Sequence, residues 1–107
     1  MANNYKNAKV DLATTDVTNL YTAPAATTAI FKSLLVSNDS GSADTITVTI
    51  TNSASAVFSV YNVKSVASNT TTELLTQPLV VMENEIIKVT AGATNRLHVI
   101  GSYLEIT

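Results

Sequence analysis

Seven residues from Thr45 to Thr51 alternate without a break between threonine and an aliphatic residue. In an extended chain Ile46, Val48 and Ile50 would share one face, whereas a helix would scatter the same side chains around its axis. β-Branched residues at every position also favour a stiff, extended backbone. The pattern therefore predicts a half-buried β-strand whose second face carries only hydroxyls, from Thr45, Thr47, Thr49 and Thr51.

Shorter apolar and β-branched runs recur along the rest of the chain, each closed by Asn, Asp, Ser, Gly or Pro, which favour turns. No segment keeps a helical period over three turns. Counting the runs gives about eight strands. We predict an all-β, antiparallel two-sheet sandwich, jelly-roll or immunoglobulin-like, that forms a single domain over residues 1–107. A closed barrel is the alternative architecture.

The run over residues 29–37 has apolar side chains on both faces of an extended chain, including Ile30, Phe31 and Leu35. This is typical of a central strand that is covered on both faces. The polar segment from Asn38 to Asp44 predicts a turn, in which Gly41 would take a positive φ angle. We expect the turn to join residues 34–37 and 45–51 as an antiparallel hairpin, with the threonine strand nearer the exterior of the sheet.

Charged residues make up 13% of the chain, about half the usual share, while 46% are hydrophobic and the net charge is −2. Order is therefore expected rather than disorder. The chain has no cysteine, which excludes disulfides and thiolate zinc sites. The basic residues stand singly among acids, so no basic face predicts nucleic-acid binding; they are Lys6, Lys9, Lys32, Lys64, Lys88 and Arg96.

The first residues lack the apolar run of a signal peptide, and about twenty consecutive apolar residues occur nowhere. We therefore expect synthesis in the cytoplasm and no membrane partner.

Candidate chemistry is sparse. His98, the only histidine, lies between Leu97 and Val99, so alternation places it on the opposite face, as a surface or interface residue. It has no evident partner nucleophile or orienting acid, and we expect neither an enzyme nor a cofactor. The oxygens of the Asn38–Asp44 segment allow a calcium site or a plain turn. Glu83 and Glu85 allow paired carboxylates or a solvated turn.

Strand and turn residues follow one another in six segments, which are Leu20–Ala25, Ala29–Asn38, Ser40–Val48, Leu75–Leu79, Glu83–Val89 and Leu97–Ile106. These segments resemble small β-sandwich structural proteins of tailed bacteriophage virions. Turns of that group commonly read Pro-Gly-Asp or Glu-Gly-Asp where this chain has Glu83-Asn84-Glu85. The likeness covers nearly the whole chain, but its motifs are turn and core residues.

The resemblance implies a non-enzymatic virion component made in the host cytoplasm. The first hypothesis is a capsid decoration or cement protein, a homotrimer or other small symmetric oligomer that binds the major capsid protein. A neck, tail or fibre-attachment subunit is the second. A carbohydrate-binding or adhesive module, with Tyr61 or Tyr103 as its aromatic platform, is the third.

Residues 1–7 are either an N-terminal arm that binds the capsid or the start of a first strand. The candidate interface residues are Tyr5, Lys6, Lys9, Thr45, Thr47, Thr49, Thr51 and His98.

Overall fold

The computed structural model describes residues 2–107, which form nine strands. Within this range there is no helix, and hence none long and apolar enough to cross a membrane. The strands are β1 (Asn3–Leu12), β2 (Thr18–Thr22), β3 (Thr28–Asn38), β4 (Asp44–Thr51), β5 (Val57–Val66), β6 (Thr70–Glu73), β7 (Leu79–Val81), β8 (Ile86–Ala91) and β9 (Leu97–Ile106).

All strand pairs are antiparallel and form two sheets. Sheet A has the order β1-β9-β3-β6, with the short β7 beside the first part of β3, and sheet B has the order β2-β8-β4-β5. The prediction of an all-β, antiparallel two-sheet sandwich is confirmed. Most connections lead from one sheet to the other, and the resulting strand order is that of a jelly roll. In an immunoglobulin domain, by contrast, the first two strands are neighbours in one sheet.

Strict alternation in the inner strands places one set of side chains between the sheets. In β9 the buried residues are Leu97, Val99, Gly101, Tyr103 and Glu105, and every residue between them is more exposed. Fully burying one such aliphatic side chain contributes roughly 1.5–3 kcal/mol. The largest buried side chains come from both sheets; they are Phe31, Leu12, Leu34, Ile46, Ile87 and Leu97.

The hairpin prediction is wrong. The 34–37 part of β3 lies in sheet A between β9 and β6, whereas β4 lies in sheet B between β8 and β5. The connection arches from one sheet to the other because buried Asn38 holds it there. Its side-chain amide donates to the carbonyls of Ser42 and Val66, at 2.9 and 3.3 Å, and its Oδ1 accepts from the Ser40 N–H and hydroxyl.

Three related expectations also change. β4 is an interior strand of sheet B and not a strand near its exterior. β3 is interior in sheet A, as predicted, but its outer face is not covered: Ile30 and Leu35 remain partly exposed. Gly41 does not have a positive φ, because the hydrogen bonds of Asn38 and Ser40 shape that turn instead.

Candidate interaction surface

The register of sheet A places four apolar side chains in one row across its outer face. Tyr5 of β1 is paired with Leu104 of β9, Leu104 with Ile30 of β3, and Ile30 with Val80 of β7. Directly paired residues of antiparallel strands point to the same side of the sheet. The row therefore runs across β1, β9, β3 and β7 on the face turned away from the core.

Two further apolar residues extend this row toward one end of the sheet, Ile106 on β9 and Met82 just after β7. Tyr5 is 75% exposed, Met82 60% and Val80 51%, while the three others are partly exposed. Scattered apolar residues are normal on a protein surface, but a contiguous cluster is typical of an interaction site. We call this set the apolar patch: Tyr5, Ile30, Val80, Met82, Leu104 and Ile106.

The opposite end of the same face carries His98 and charged side chains around the exposed Ile100. His98 lies between two carboxylates, with Nε2 3.2 Å from Asp11 Oδ1 and Nδ1 3.7 Å from Asp39 Oδ2. Lys9 and Ile100 complete a shallow groove beside it. Each ring nitrogen faces a carboxylate rather than a hydroxyl that it could activate.

Lys6 does not share this face, because it lies on the other parity of β1 and reaches the buried carboxylate of Glu105. Its Nζ is 2.9 Å from Glu105 Oε1. The Tyr21 hydroxyl donates to Glu105 Oε2 at 2.6 Å, which links sheet B to sheet A. The bond from Tyr21 and the ion pair with Lys6 hold the pKa of Glu105 below its usual value. The same carboxylate raises the pKa of Lys6.

Three aromatic rings pack together beside the buried Glu105 carboxylate. Phe31 stacks on Tyr103 with centroids 4.7 Å apart, and Tyr21 contacts both rings, at 5.3 and 4.5 Å. Burial, followed by the nearby Glu105 carboxylate, raises the pKa of Tyr103. Burial and the hydrogen bond to Glu105 raise that of Tyr21 far above its usual value, so Tyr21 stays a hydrogen-bond donor. The cluster joins the two sheets.

The four threonines of β4 lie in sheet B and are therefore separated from Tyr5, Lys9 and His98 in sheet A. Thr47 Oγ1 accepts a hydrogen bond from the Val63 N–H at 3.1 Å, where β5 bulges away from β4. Thr51 is buried, and Thr45 and Thr49 are partly exposed. The predicted interface residues thus do not form one surface.

The carboxylates of Glu83 and Glu85 accept hydrogen bonds from backbone N–H groups. Glu83 Oε2 accepts from the Ala26 N–H at 2.7 Å, and Glu85 Oε1 from the Met82 N–H at 2.8 Å. Across residues 2–107 no group of three or more histidine or acidic residues is placed to hold a metal ion.

The two tyrosines proposed for a glycan platform are at least partly buried. Tyr103 is 7% exposed, and Tyr61 is partly buried with its hydroxyl donated to the Leu74 carbonyl.

Sequence reasoning missed most of the apolar patch, including Val80, Met82 and Leu104. A signal was present, because the 29–37 and 97–106 runs have apolar residues on both faces. For residues 29–37 we interpreted that signal as a strand covered on both faces, whereas the outer face of sheet A is uncovered in this chain.

Comparison of the chain with protein-family models, with curated proteins and with solved structures finds no significant match.

Proposed function

We propose that this chain is a non-enzymatic structural protein of a bacteriophage virion. In this proposal it decorates or cements the outer capsid as a homotrimer or other small symmetric oligomer, with the major capsid protein as its partner. The observation that carries the proposal is the apolar patch on sheet A, together with the resemblance of the sequence to small virion β-sandwich proteins. The jelly-roll strand order is compatible with that group.

The outer face of sheet A is suited to a permanent contact. Apolar surface removed from water contributes roughly 25 cal/mol per Å², and β-strands hold the patch in a fixed arrangement before binding. Lys32 lies at the border of the patch, with its Nζ 5.7 Å from the centre of the Tyr5 ring. An arrangement with an apolar centre and charges at its border is typical of protein interfaces.

The proposal is tested with virus particles that lack this protein, purified after deletion of its gene from the phage genome. The added chain should co-sediment with these particles. Val80→Lys should reduce bound protein about tenfold or more, because a desolvated, unpaired ammonium costs at least 1.4 kcal/mol.

Val57→Lys is the matched control, since Val57 is also an exposed valine (62%) but lies on sheet B. It should bind like the parent. Equal loss in both variants, or no binding by the parent, would contradict the proposal.

A neck, tail or fibre-attachment role in the same kind of particle is the alternative. Labelling of whole particles with an antibody fragment against sheet B would place the chain on the head or on the tail.

A further inference from the structure

The free edges of the two sheets differ sharply in how they are protected. An exposed strand edge offers unpaired N–H and C=O groups to any other strand, and proteins blunt such edges with bulges, short strands or charges. β6 and β7 have four and three residues. β2 has five residues and a register shift, and β5 has two register shifts and a left-handed Val63 with φ of 50°.

β1 is the exception. It is ten residues long, and its pairing with β9 runs from Asn3 to Leu12 without a register shift. Its one inward-pointing charge, Lys6, is paired with Glu105 and so does not stand free against an incoming strand. Among the strand edges of residues 2–107, this one alone is long and regular.

The hydrogen-bond pattern shows which groups of β1 are free. Ala2 and Thr107 exchange both backbone hydrogen bonds, at 3.2 and 3.0 Å. In an antiparallel ladder this makes the even-numbered residues of β1 the ones that bond β9. The odd-numbered residues therefore turn their N–H and C=O groups outward; they are Asn3, Tyr5, Asn7, Lys9 and Asp11. The Asp11 carbonyl already accepts from the Ala13 N–H.

We infer that β1 pairs antiparallel with β1 of a second copy of this chain, around a two-fold axis at Asn7. This interface does not depend on the virion role. The occupant is a second copy because β1 is complementary to itself in this register: Tyr5 lies opposite Lys9, Asn7 opposite Asn7, and Lys6 opposite Ala8. No two like charges meet directly.

Neighbouring registers are less favourable. An axis one position earlier would place Lys6 opposite Lys6, and an axis two positions later would place Lys9 opposite Lys9, and like charges directly opposite are destabilising. An axis at Ala8 avoids both but uses the occupied Asp11 carbonyl for one of its main pairs. The register centred on Asn7 gives about six backbone hydrogen bonds from Tyr5, Asn7 and Lys9.

The pairing would join two A sheets into one continuous sheet. Tyr5 of each copy would then lie beside Lys9 of the other, so the apolar patches and the outer faces of both sheets would be presented together. Exposed aromatic and lysine side chains make favourable contacts of this kind.

The test uses the absence of cysteine from the chain. In a dimer of Asn7→Cys, the Cα atoms of the two introduced cysteines should face each other about 5.5 Å apart. This is within the Cα–Cα range of about 4.4–6.8 Å that a disulfide spans. Mild oxidation should give a covalent dimer on the order of a hundredfold faster than Ser59→Cys, an exposed position on β5, because the thiols are already held together.

Sedimentation equilibrium of the unsubstituted chain should show a dimer, and Asn7→Cys under reducing conditions should melt as the parent does. A monomeric parent, or equal oxidation rates at positions 7 and 59, would overturn the inference. Faster cross-linking of Ala8→Cys than of Asn7→Cys would overturn the proposed axis.

Discussion

Gly101 lies where β9 passes directly under the Phe31 ring, and there is no room for a side chain. A Cβ atom at this position would lie 2.5 Å from Phe31 Cε2 and 3.5 Å from Leu34 Cδ1. The ring is buried between the sheets and packed on Tyr103, so it has little freedom to move away. The absence of a side chain thus allows the aromatic cluster to form.

We expect Gly101→Ala to lower the free energy of unfolding by about 1–3 kcal/mol, the usual cost of overpacking a core. Urea unfolding followed by circular dichroism measures it. Gly41→Ala is the control, because nothing lies within 4 Å of a Cβ there and its φ is not positive; it should change the stability by less than about 0.5 kcal/mol. Similar effects at both positions would refute the packing argument.

Glu105 makes stability depend on pH. Because its pKa is lower in the folded than in the unfolded chain, its contribution is complete above about pH 4.5 and is lost as the pH falls through the folded-state pKa. Lys6 has the corresponding effect at alkaline pH. Because its pKa is raised in the folded chain, its contribution to stability is present below about pH 10 and is lost as the pH rises through the folded-state pKa. The pair therefore stabilises the fold across neutral pH.

Glu105→Gln should be less stable at pH 7 by about 1–3 kcal/mol, since it removes the charge from two hydrogen bonds. Its stability should also fall less steeply than the parent's on acidification, as thermal melts at several pH values would show. Some acid sensitivity should persist through Glu73. Burial alone would raise the pKa of that group, but bonds from the Ser33 hydroxyl and nearby N–H groups outweigh burial and lower it. If the stability of Glu105→Gln fell as steeply with decreasing pH as that of the parent, this role for Glu105 would be excluded.

At the scale of the strand, β4 illustrates what local pattern can and cannot predict. Alternation located this strand to within one residue and identified Ile46 and Val48 as buried, because the pleat has a period of two. It failed at the end of the strand, where Thr51 is buried and Ile50 only partly so. It did not identify the partners of the strand. The same turn residues serve a hairpin or a crossing between sheets, and the choice here depends on a hydrogen bond from Asn38 to Val66, a residue 28 positions away.

The threonine face of β4 has a structural use that the pattern alone did not show. The Thr47 hydroxyl oxygen accepts a hydrogen bond from the Val63 N–H at the β5 bulge. Thr47→Val keeps the shape but removes this acceptor, so we expect a loss of about 1 kcal/mol in unfolding free energy.

Thr49→Val is the matched control, being a partly exposed threonine of the same strand for which no such bond is formed to the bulge. It should be nearly neutral in chemical denaturation. Equal losses in the two variants would show that the hydroxyl at position 47 is not specifically required.

At the scale of the whole molecule, most of the architecture depends on contacts between distant parts of the chain. β1 and β9 form a ladder between residues 3–12 and residues 97–106, and Tyr21 bonds Glu105 across 84 positions. Composition and periodicity predict the all-β class and most strand positions, since those are local properties. They do not predict the ion pair between Lys6 and Glu105 or the apolar patch, because each is assembled from strands that meet only in the folded chain.

Residues 1–7 connect these scales. The residues that were expected to form either a free arm or a first strand lie, from Asn3 onward, in β1 and pair with β9. Deleting residues 1–7 would remove the ladder bonds of this segment and leave Glu105 without Lys6. We therefore expect the deletion to lower the unfolding free energy by about 3 kcal/mol or more. Tyr5→Ser, which removes an exposed ring but no ladder bond, should stay within about 0.5 kcal/mol of the parent.

Urea unfolding of the three proteins separates a strand from an arm. A deletion variant as stable as the parent would mean that this segment adds nothing to the fold and is free to act as an arm. A large loss would mean that the segment belongs to sheet A. Reduced particle binding by the deletion variant would then reflect a damaged sheet, whereas reduced binding by Tyr5→Ser would report on the exposed Tyr5 ring.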